Sequence, residues 1–198
     1  MKFHIGTIQE TSNENGKWKV VSKPPIKKWQ LLVFPIGLFN LALLAFLWVI
    51  FTPAVNGIYS ISFYILPIGF LFCLIGLLIV HEFIHTLFHP RLGFSKYSVI
   101  GFWPSKMLLY SIYNGEISRI RFIIILSMPF ICISIIPLIM AIIGNFFNIW
   151  YAYITVANAF VAAGDISEII IILRQVPPNS KIKRKSWNYY WKKSSVIN

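Results

Sequence analysis

The stretch His81-Glu82-Phe83-Ile84-His85 closes a long apolar run that begins at Ile61. Ionisable side chains are rare inside such runs, because burying them in a membrane costs free energy. The pattern is H-E-x-x-H, and on a helix its two histidines lie on one face, one turn apart. That spacing lets both imidazoles bind one zinc ion and leaves Glu82 beside a water activated by the metal. The sequence therefore predicts a zinc-hydrolase motif within or at the edge of a membrane-spanning helix.

Chance matches to this motif are rare in a chain of this composition. With 4 His and 5 Glu among 198 residues, the expected number of accidental H-E-x-x-H matches is roughly 0.002. The alternative interpretation is structural: two buried histidines hydrogen-bonded to neighbouring helices, with no metal. The low chance rate favours the zinc motif.

The composition is typical of an integral membrane protein. Hydrophobic residues make up 57% of the chain and charged residues only 12%, whereas soluble domains carry about 25% charged residues. The net charge of +12 would also suit nucleic acid, but Lys and Arg cluster beside the apolar segments, as they do where they orient membrane proteins. We therefore expect anionic lipid at the cytoplasmic face as a partner, and no nucleic acid.

Four apolar segments approach or exceed the roughly 20 residues that a span requires. All 18 basic residues lie in the N-terminal segment, the 91–121 loop and the C-terminal segment, which by the positive-inside rule places both termini in the cytoplasm. The predicted fold class is an all-α protein with four transmembrane helices, multi-pass in a cell membrane. The expected spans are 31–51, 59–89, 122–143 and 149–173. The expected division is a basic cytoplasmic tail over 1–30, a four-span membrane domain carrying the zinc site over 31–174, and a basic aromatic cytoplasmic tail over 175–198.

The connection between the second and third spans, residues 91–121, is the longest. Alternation over residues 97–103, followed by Pro104-Ser105, predicts a small β-hairpin that ends at the Asn114-Gly115 turn signal. The alternative is an amphipathic loop at the membrane interface, anchored by Trp and Tyr side chains.

Asp165 is the predicted third zinc ligand. A zinc hydrolase needs three protein ligands and one open position, and Asp165 is the only aspartate in the chain. At 1.5 Å per residue, the motif lies about 12 Å before Arg91, and Asp165 lies about 13–14 Å before Arg174. The topology therefore puts both at the same depth on the cytoplasmic side. A metal would offset the cost of a lone carboxylate there, on the order of 3 kcal/mol.

Several alternatives remain open around this site. Glu168 is the other candidate third ligand, and Asp165 would instead pair with a basic residue or mark helix packing. His89 lies about 12 Å along the helix from His81, too far to share an ion, and is expected at the interface. Asn158 shares a helix face with Asp165 and is a candidate for substrate binding, with a plain helix–helix contact as the alternative.

The sequence resembles a known group over roughly residues 66–177. The resemblance lies in H-E-F-I-H-T-L-F-H at 81–89, the loop at 97–116, Arg121-Phe122, and Met128-Pro129-Phe130. These features are similar to the putative zincin peptidase family, small bacterial membrane proteins of largely unknown function. The layout is more distantly similar to the site-2-protease-like intramembrane zinc metalloproteases, which cut transmembrane substrates.

The resemblance implies roles for particular residues. His81 and His85 match the metal-ligand positions and Glu82 the catalytic position. Asp165 matches the aspartate on a later span by its place, and Asn158 matches an upstream asparagine approximately. The distant family has a glycine after the aspartate and a proline before it, whereas here the glycine precedes Asp165 and no proline lies between Asn158 and Asp165.

The predicted function is hydrolysis of a peptide bond in a membrane protein or peptide by a zinc-dependent metallopeptidase, with Glu82 as general base. One alternative is a non-catalytic zinc-binding membrane protein, such as a scaffold or an immunity factor. A second is a small transporter that uses Glu82, Asp165 and Glu168 as a relay, which four spans without a repeat make less favourable.

Overall fold

The computed structural model describes residues 2–6, 18–51, 66–106, 108–144, 148–185 and 188–194. A π-helical segment, Phe130–Ile135, joins two of the helices, and short 3-10 turns lie at Pro90–Gly93 and Pro104–Lys106. The elements are β1 (Lys2–Ile5), β2 (Lys19–Val21), α1 (Ile26–Phe51), α2 (Leu66–Leu87), β3 (Ser98–Trp103), β4 (Leu108–Tyr113), β5 (Ile117–Ser118), α3 (Arg119–Pro129), α4 (Ile136–Ile143), α5 (Ile149–Val161), α6 (Ala163–Gln175), β6 (Ser180–Lys185) and β7 (Asn188–Lys193).

The chain forms two compact units, each with its own core. The first comprises Met1–Trp29, Glu82–Met128 and Asp165–Asn198, and the second comprises Gln30–His81 and Pro129–Gly164. The predicted division into 1–30, 31–174 and 175–198 rests on another criterion, burial in a membrane, and stays a prediction.

The first unit contains the predicted hairpin. Strands β3 and β4 pair antiparallel from Ser98 opposite Tyr113 to Trp103 opposite Leu108, and the turn between them includes Pro104-Ser105. The prediction of a hairpin in this loop is therefore confirmed. Strand β1 adds to the other side of β3 in parallel, so the sheet order is β1-β3-β4.

A second sheet in the first unit combines strands from both chain ends with β5, in the order β2-β7-β6-β5. Val21 pairs with Tyr189, and Ile117 of β5 pairs with Ile182 of β6. The predicted all-α class is therefore incomplete, because both predicted tails contribute strands. The sequence signal was weak since each run is short and basic, and such strands become stable only when several pair and cover a core.

The core of the first unit lies between the second sheet and two helices. Tyr189, Ile182 and Ile172 are fully buried there and pack with Phe122 of α3. The ring of Tyr189 meets the ring of Phe122 edge-on at 5.1 Å between centroids. This packing holds the start of α3 and the body of α6 against β6 and β7.

The second unit is helical. Leu44 and Trp48 of α1 pack on Ala141, Ala152 and Ala159, where small residues let helices approach closely. A buried hydrogen bond joins α1 to α5 there: Trp48 Nε1 donates to Thr155 Oγ1 at 2.7 Å.

Within the described part of the chain, two helical stretches are long and apolar enough to cross a membrane, Lys27–Phe51 and Arg119–Ile143, each of 25 residues. A bent pair, Trp150–Val161 with Ala163–Gln175, makes a third if it counts as one span, with a bend of 41°. The segment Leu74–Phe88 is a shorter apolar helix, and residues 59–65 of the predicted second span lie outside the described residues. Two or three spans are thus supported, and the count of four stays a prediction.

Candidate metal centre

Helix α2 carries both motif histidines on one face. It runs from Leu66 to Leu87 without a break in helical structure, so His81 and His85 lie one turn apart, as the sequence predicted. Both side chains are buried, with relative exposures of 3% and 5%. The helix itself fixes the two imidazoles relative to each other.

Asp165 stands opposite His85. It lies in the first turn of α6, and its Oδ2 is 3.2 Å from His85 Nε2. One ligand atom from each of His81, His85 and Asp165 lies within 4.8 Å of the others. The sequence-predicted trio is therefore brought together, while its role as a set of metal ligands stays a prediction.

The hydrogen bond of His85 fixes which ring nitrogen carries the proton. His85 Nδ1 lies 2.8 Å from the carbonyl oxygen of Ile125. A carbonyl oxygen only accepts, so Nδ1 must carry the proton and donate it. In the neutral ring the lone pair then lies on Nε2, the nitrogen that faces Asp165.

Asn158 fixes the position of the ring proton on His81 in the same way. His81 Nδ1 lies 2.9 Å from Asn158 Oδ1, while Asn158 Nδ2 donates to the carbonyl oxygen of Pro129 at 3.1 Å and to Ser134 Oγ at 2.9 Å. Because the Pro129 carbonyl only accepts, the amide nitrogen must point to it and the amide oxygen to His81. His81 Nδ1 therefore donates, which leaves the Nε2 lone pair to a ligand.

The donor set fits zinc. Two imidazole nitrogens and a carboxylate oxygen are the ligands of many catalytic zinc sites. Two ligands of a tetrahedral zinc ion with bonds of about 2.0–2.2 Å lie about 3.4 Å apart, close to the 3.2 Å between His85 Nε2 and Asp165 Oδ2. Each histidine also has its other ring nitrogen held, which is the usual arrangement around a metal.

The general-base candidate lies next to these ligands. Glu82 follows His81 directly on α2, and its side chain is half-buried. One turn later Thr86 Oγ1 contacts Ser111 Oγ of β4 at 2.7 Å and the Glu82 carbonyl oxygen at 3.1 Å. The motif helix is thereby tied to the β3–β4 hairpin within the first unit.

Glu168, the alternative third ligand, is engaged elsewhere. Its carboxylate pairs with the ammonium of Lys23 and accepts a hydrogen bond from the hydroxyl of Tyr189. The Lys23 ammonium also lies 4.2 Å from the centroid of the Tyr189 ring. Burial lowers the pKa of Lys23, although Glu168 opposes the shift. This buried cluster favours Asp165 over Glu168 as the third ligand.

Arg184 adds a buried cation to the same cluster. Its guanidinium carbon lies 5.3 Å from the centroid of the Tyr189 ring. Burial lowers the pKa of Arg184, but Tyr189, Glu168, Glu82 and Asp165 together raise it above the ordinary value.

His89 lies outside the trio. It is buried with 2% exposure, and its ring centroid is 5.5 Å from that of Tyr113. Its expected place at the membrane interface stays a prediction.

Comparison with known families agrees with the geometry. The sequence pattern of the family described as putative zincin peptidase matches residues 74–181, more than half of the chain. This chain belongs to that family. The matched range of this zincin-family member contains the H-E-x-x-H helix, Asn158 and Asp165. No curated protein and no solved structure matches the chain.

Sequence reasoning missed the partner of His85 and the cluster around Glu168. Ile125 offers only a backbone carbonyl, which no side-chain pattern reveals. Lys23, Tyr189 and Arg184 lie in the two predicted tails, far in sequence from the motif. One signal was present: Pro129, four residues after Ile125, deprives that carbonyl of its helical donor.

Proposed function

We propose that this zincin-family protein is an intramembrane zinc metalloprotease that hydrolyses a peptide bond, with Glu82 as general base. The observation that carries the proposal is the approach of His85 Nε2 to Asp165 Oδ2, 3.2 Å, beside the second motif histidine. Two histidines and one carboxylate leave one tetrahedral position open, as a catalytic zinc site requires. A closed structural site would need a fourth protein ligand.

Each residue of the proposed site has a separate role in the reaction. When bound, zinc would supply a Lewis acid that lowers the pKa of water and polarises the carbonyl of the scissile peptide. Glu82 accepts the proton of the attacking water and passes it to the amine of the leaving group. Asn158 and the Ile125 carbonyl hold the two imidazoles in the ligating orientation. These contacts do not test the proposed role of Asn158 in substrate binding, which requires a direct experiment.

The proposed substrate is a membrane protein or membrane-bound peptide at the cytoplasmic side of the cell membrane. The motif closes an apolar helix that ends at Leu87. The helix ends sooner than the estimate to Arg91 assumed, so the middle of the motif lies about 6 Å from the end of the helix that we propose to be cytoplasmic. Strand β4 is at the edge of its sheet and touches the motif helix through Ser111 and Thr86. An extended substrate segment would pair with this edge, which is a common way to hold a peptide.

The test uses the full-length protein purified in detergent, with fluorescently labelled casein as an unfolded probe substrate. We expect about one zinc per chain and zinc-dependent cleavage in the parent protein. Glu82→Gln should keep its zinc and lose cleavage by about 10²–10⁴-fold, the usual contribution of a general base.

The other outcomes separate the remaining functions. Cleavage at the parent rate by Glu82→Gln would exclude Glu82 as the base. Full biological function of Glu82→Gln, with zinc retained, would favour a non-catalytic zinc protein. A parent protein without bound zinc would contradict the proposal as a whole.

A further inference from the structure

We propose that Pro129 is a positioning residue that orients both zinc-binding histidines, His85 through the Ile125 carbonyl and His81 through Asn158. This inference rests on the proposed zinc site. It goes beyond the H-E-x-x-H motif because it assigns the orientation of two imidazoles on α2 to one proline on another helix.

The first step concerns the carbonyl of Ile125. In an α-helix this oxygen accepts the N–H of the residue four positions later, which is Pro129. Proline has no N–H, so the bond cannot form. Ile125 is buried, where an unpaired carbonyl is costly. His85 Nδ1 supplies the missing donor at 2.8 Å.

The second step concerns the carbonyl of Pro129 itself. The π-helical segment Phe130–Ile135 begins directly after it, and π-helical turns inside α-helices are frequent at functional sites. The oxygen of Pro129 accepts a hydrogen bond from Asn158 Nδ2 at 3.1 Å. Asn158 is completely buried, so its amide cannot turn toward water. Its oxygen is thereby directed at His81 Nδ1, 2.9 Å away.

Both steps end in the same chemical state. A backbone carbonyl fixes the tautomer of each imidazole, directly for His85 and through the Asn158 amide for His81. In both rings Nδ1 donates a hydrogen bond, and Nε2 is the nitrogen that we propose to bind zinc. Removing such outer partners of a metal-ligating histidine typically weakens metal affinity by about 10–100-fold. A proline at position 129 is therefore expected to matter for zinc affinity without touching the metal.

A proline with a purely structural role predicts a different pattern. Proline in a helix interior is unfavourable, so replacing it with alanine should stabilise the helix or leave it unchanged. The new N–H at position 129 would compete with His85 for the Ile125 carbonyl. The inference thus predicts weaker zinc binding in a protein that is no less stable, a combination that general loss of structure does not produce.

The experiment measures zinc affinity by competition with a chromophoric chelator, and the thermal midpoint of the metal-free protein, in detergent. Pro129→Ala should bind zinc at least about 10-fold more weakly, with an unchanged or higher metal-free midpoint. Pro137→Ala is the matched control: Pro137 also lies in this helical stretch, about 12 Å further along it, and its replacement should leave zinc affinity unchanged.

Two variants of Asn158 test whether this residue orients His81. Asn158→Leu removes the acceptor of His81 and should weaken zinc binding by about 10–100-fold. Asn158→Asp keeps an oxygen toward His81, so it should bind zinc more tightly than Asn158→Leu. The visible absorption of the cobalt-substituted protein, which reports ligand geometry, should change in Pro129→Ala and Asn158→Leu but not in Pro137→Ala.

Two results separate this inference from the proposed function. If the parent binds zinc and Pro129→Ala binds it within twofold as tightly, with an unchanged cobalt spectrum, the positioning role is excluded while the zinc site stands. If Pro129→Ala and Pro137→Ala lose zinc equally, Pro129 is an ordinary helix proline. A parent that binds neither zinc nor cobalt contradicts both.

Discussion

His85 and Asp165 face each other across 3.2 Å, Nε2 to Oδ2, although one lies on α2 and the other on α6. Within the first unit this pair joins the H-E-x-x-H helix to the helix that carries Glu168 and leads to β6. The Asp165 carboxylate is close enough to His85 to share a metal ion with it. The Glu168 carboxylate, about one turn further along α6, pairs with Lys23 instead.

Asp165 should be required for zinc binding, and Glu168 should not. Asp165→Ala should lower zinc affinity by at least about 100-fold, since losing even an outer partner of a ligand costs about 10–100-fold. Glu168→Gln is the matched control: it should lower stability, because the Lys23 ammonium loses its ion pair, and keep zinc affinity within a few-fold. Competition with a chelator measures both. Zinc binding at the parent affinity by Asp165→Ala would exclude this ligand.

Tyr189 should stabilise the first unit at neutral pH through its hydrogen bond to Glu168. Tyr189→Phe removes the hydroxyl at a fully buried position and leaves Glu168 with one partner fewer. The expected loss is about 1–3 kcal/mol in the free energy of unfolding. Chemical unfolding in detergent, followed by tryptophan fluorescence, measures it.

The same tyrosine predicts how stability changes at high pH. Burial raises the pKa of Tyr189 well above its ordinary value; Arg184 opposes this shift and Glu168 adds to it. Above pH 10 the unfolded chain therefore loses the phenol proton while the folded chain keeps it, so stability falls as pH rises. The slope should approach about 1.4 kcal/mol per pH unit. Tyr189→Phe should lack this contribution, and identical slopes in both proteins would contradict the prediction.

Gly93 should be required for the turn that follows the motif helix. Its φ of +81° is unfavourable for other residues, and an added Cβ would lie 2.7 Å from Thr86 Cγ2 and 2.8 Å from the Thr86 carbonyl oxygen. Gly93→Ala should therefore cost about 1–3 kcal/mol.

A glycine on α2 itself provides the control for Gly93. A Cβ at Gly76 would meet nothing within 4 Å, so Gly76→Ala should be neutral or stabilising by up to about 1 kcal/mol. The thermal midpoint should fall in Gly93→Ala and stay unchanged or rise in Gly76→Ala, and a Gly93→Ala protein as stable as the parent would rule out the strain.

The motif helix and the hairpin were predictable because their signals are local. Two histidines four residues apart share a helix face whatever surrounds them, and alternating residues before Pro104-Ser105 form a hairpin whose partner strand is adjacent. The placing of Asp165 near the histidines used only helix rise and charge distribution. These inferences needed no knowledge of distant contacts.

The strands of both chain ends were not predictable in the same way. Lys19–Val21 is three residues long and basic at its start, and it pairs with residues 189–191 at the other end of the chain. Short strands gain stability from the sheet and the core that they help to cover. The local sequence pattern of such a strand does not indicate this gain. The Lys23–Glu168–Tyr189 cluster depends on the same long-range pairing.

The sequence by itself determined the chemistry: the two histidines, the glutamate between them and a single aspartate allow a zinc hydrolase, and the periodicity of the apolar run puts the histidines on one face. The tertiary structure decided which nitrogen of each histidine carries the proton, because that depends on the carbonyl of Ile125 and on Asn158, both on other helices. It also gave Glu168 partners of its own, the ammonium of Lys23 and the hydroxyl of Tyr189. Hydrogen bonds over long sequence distances set these choices, and only folding creates them.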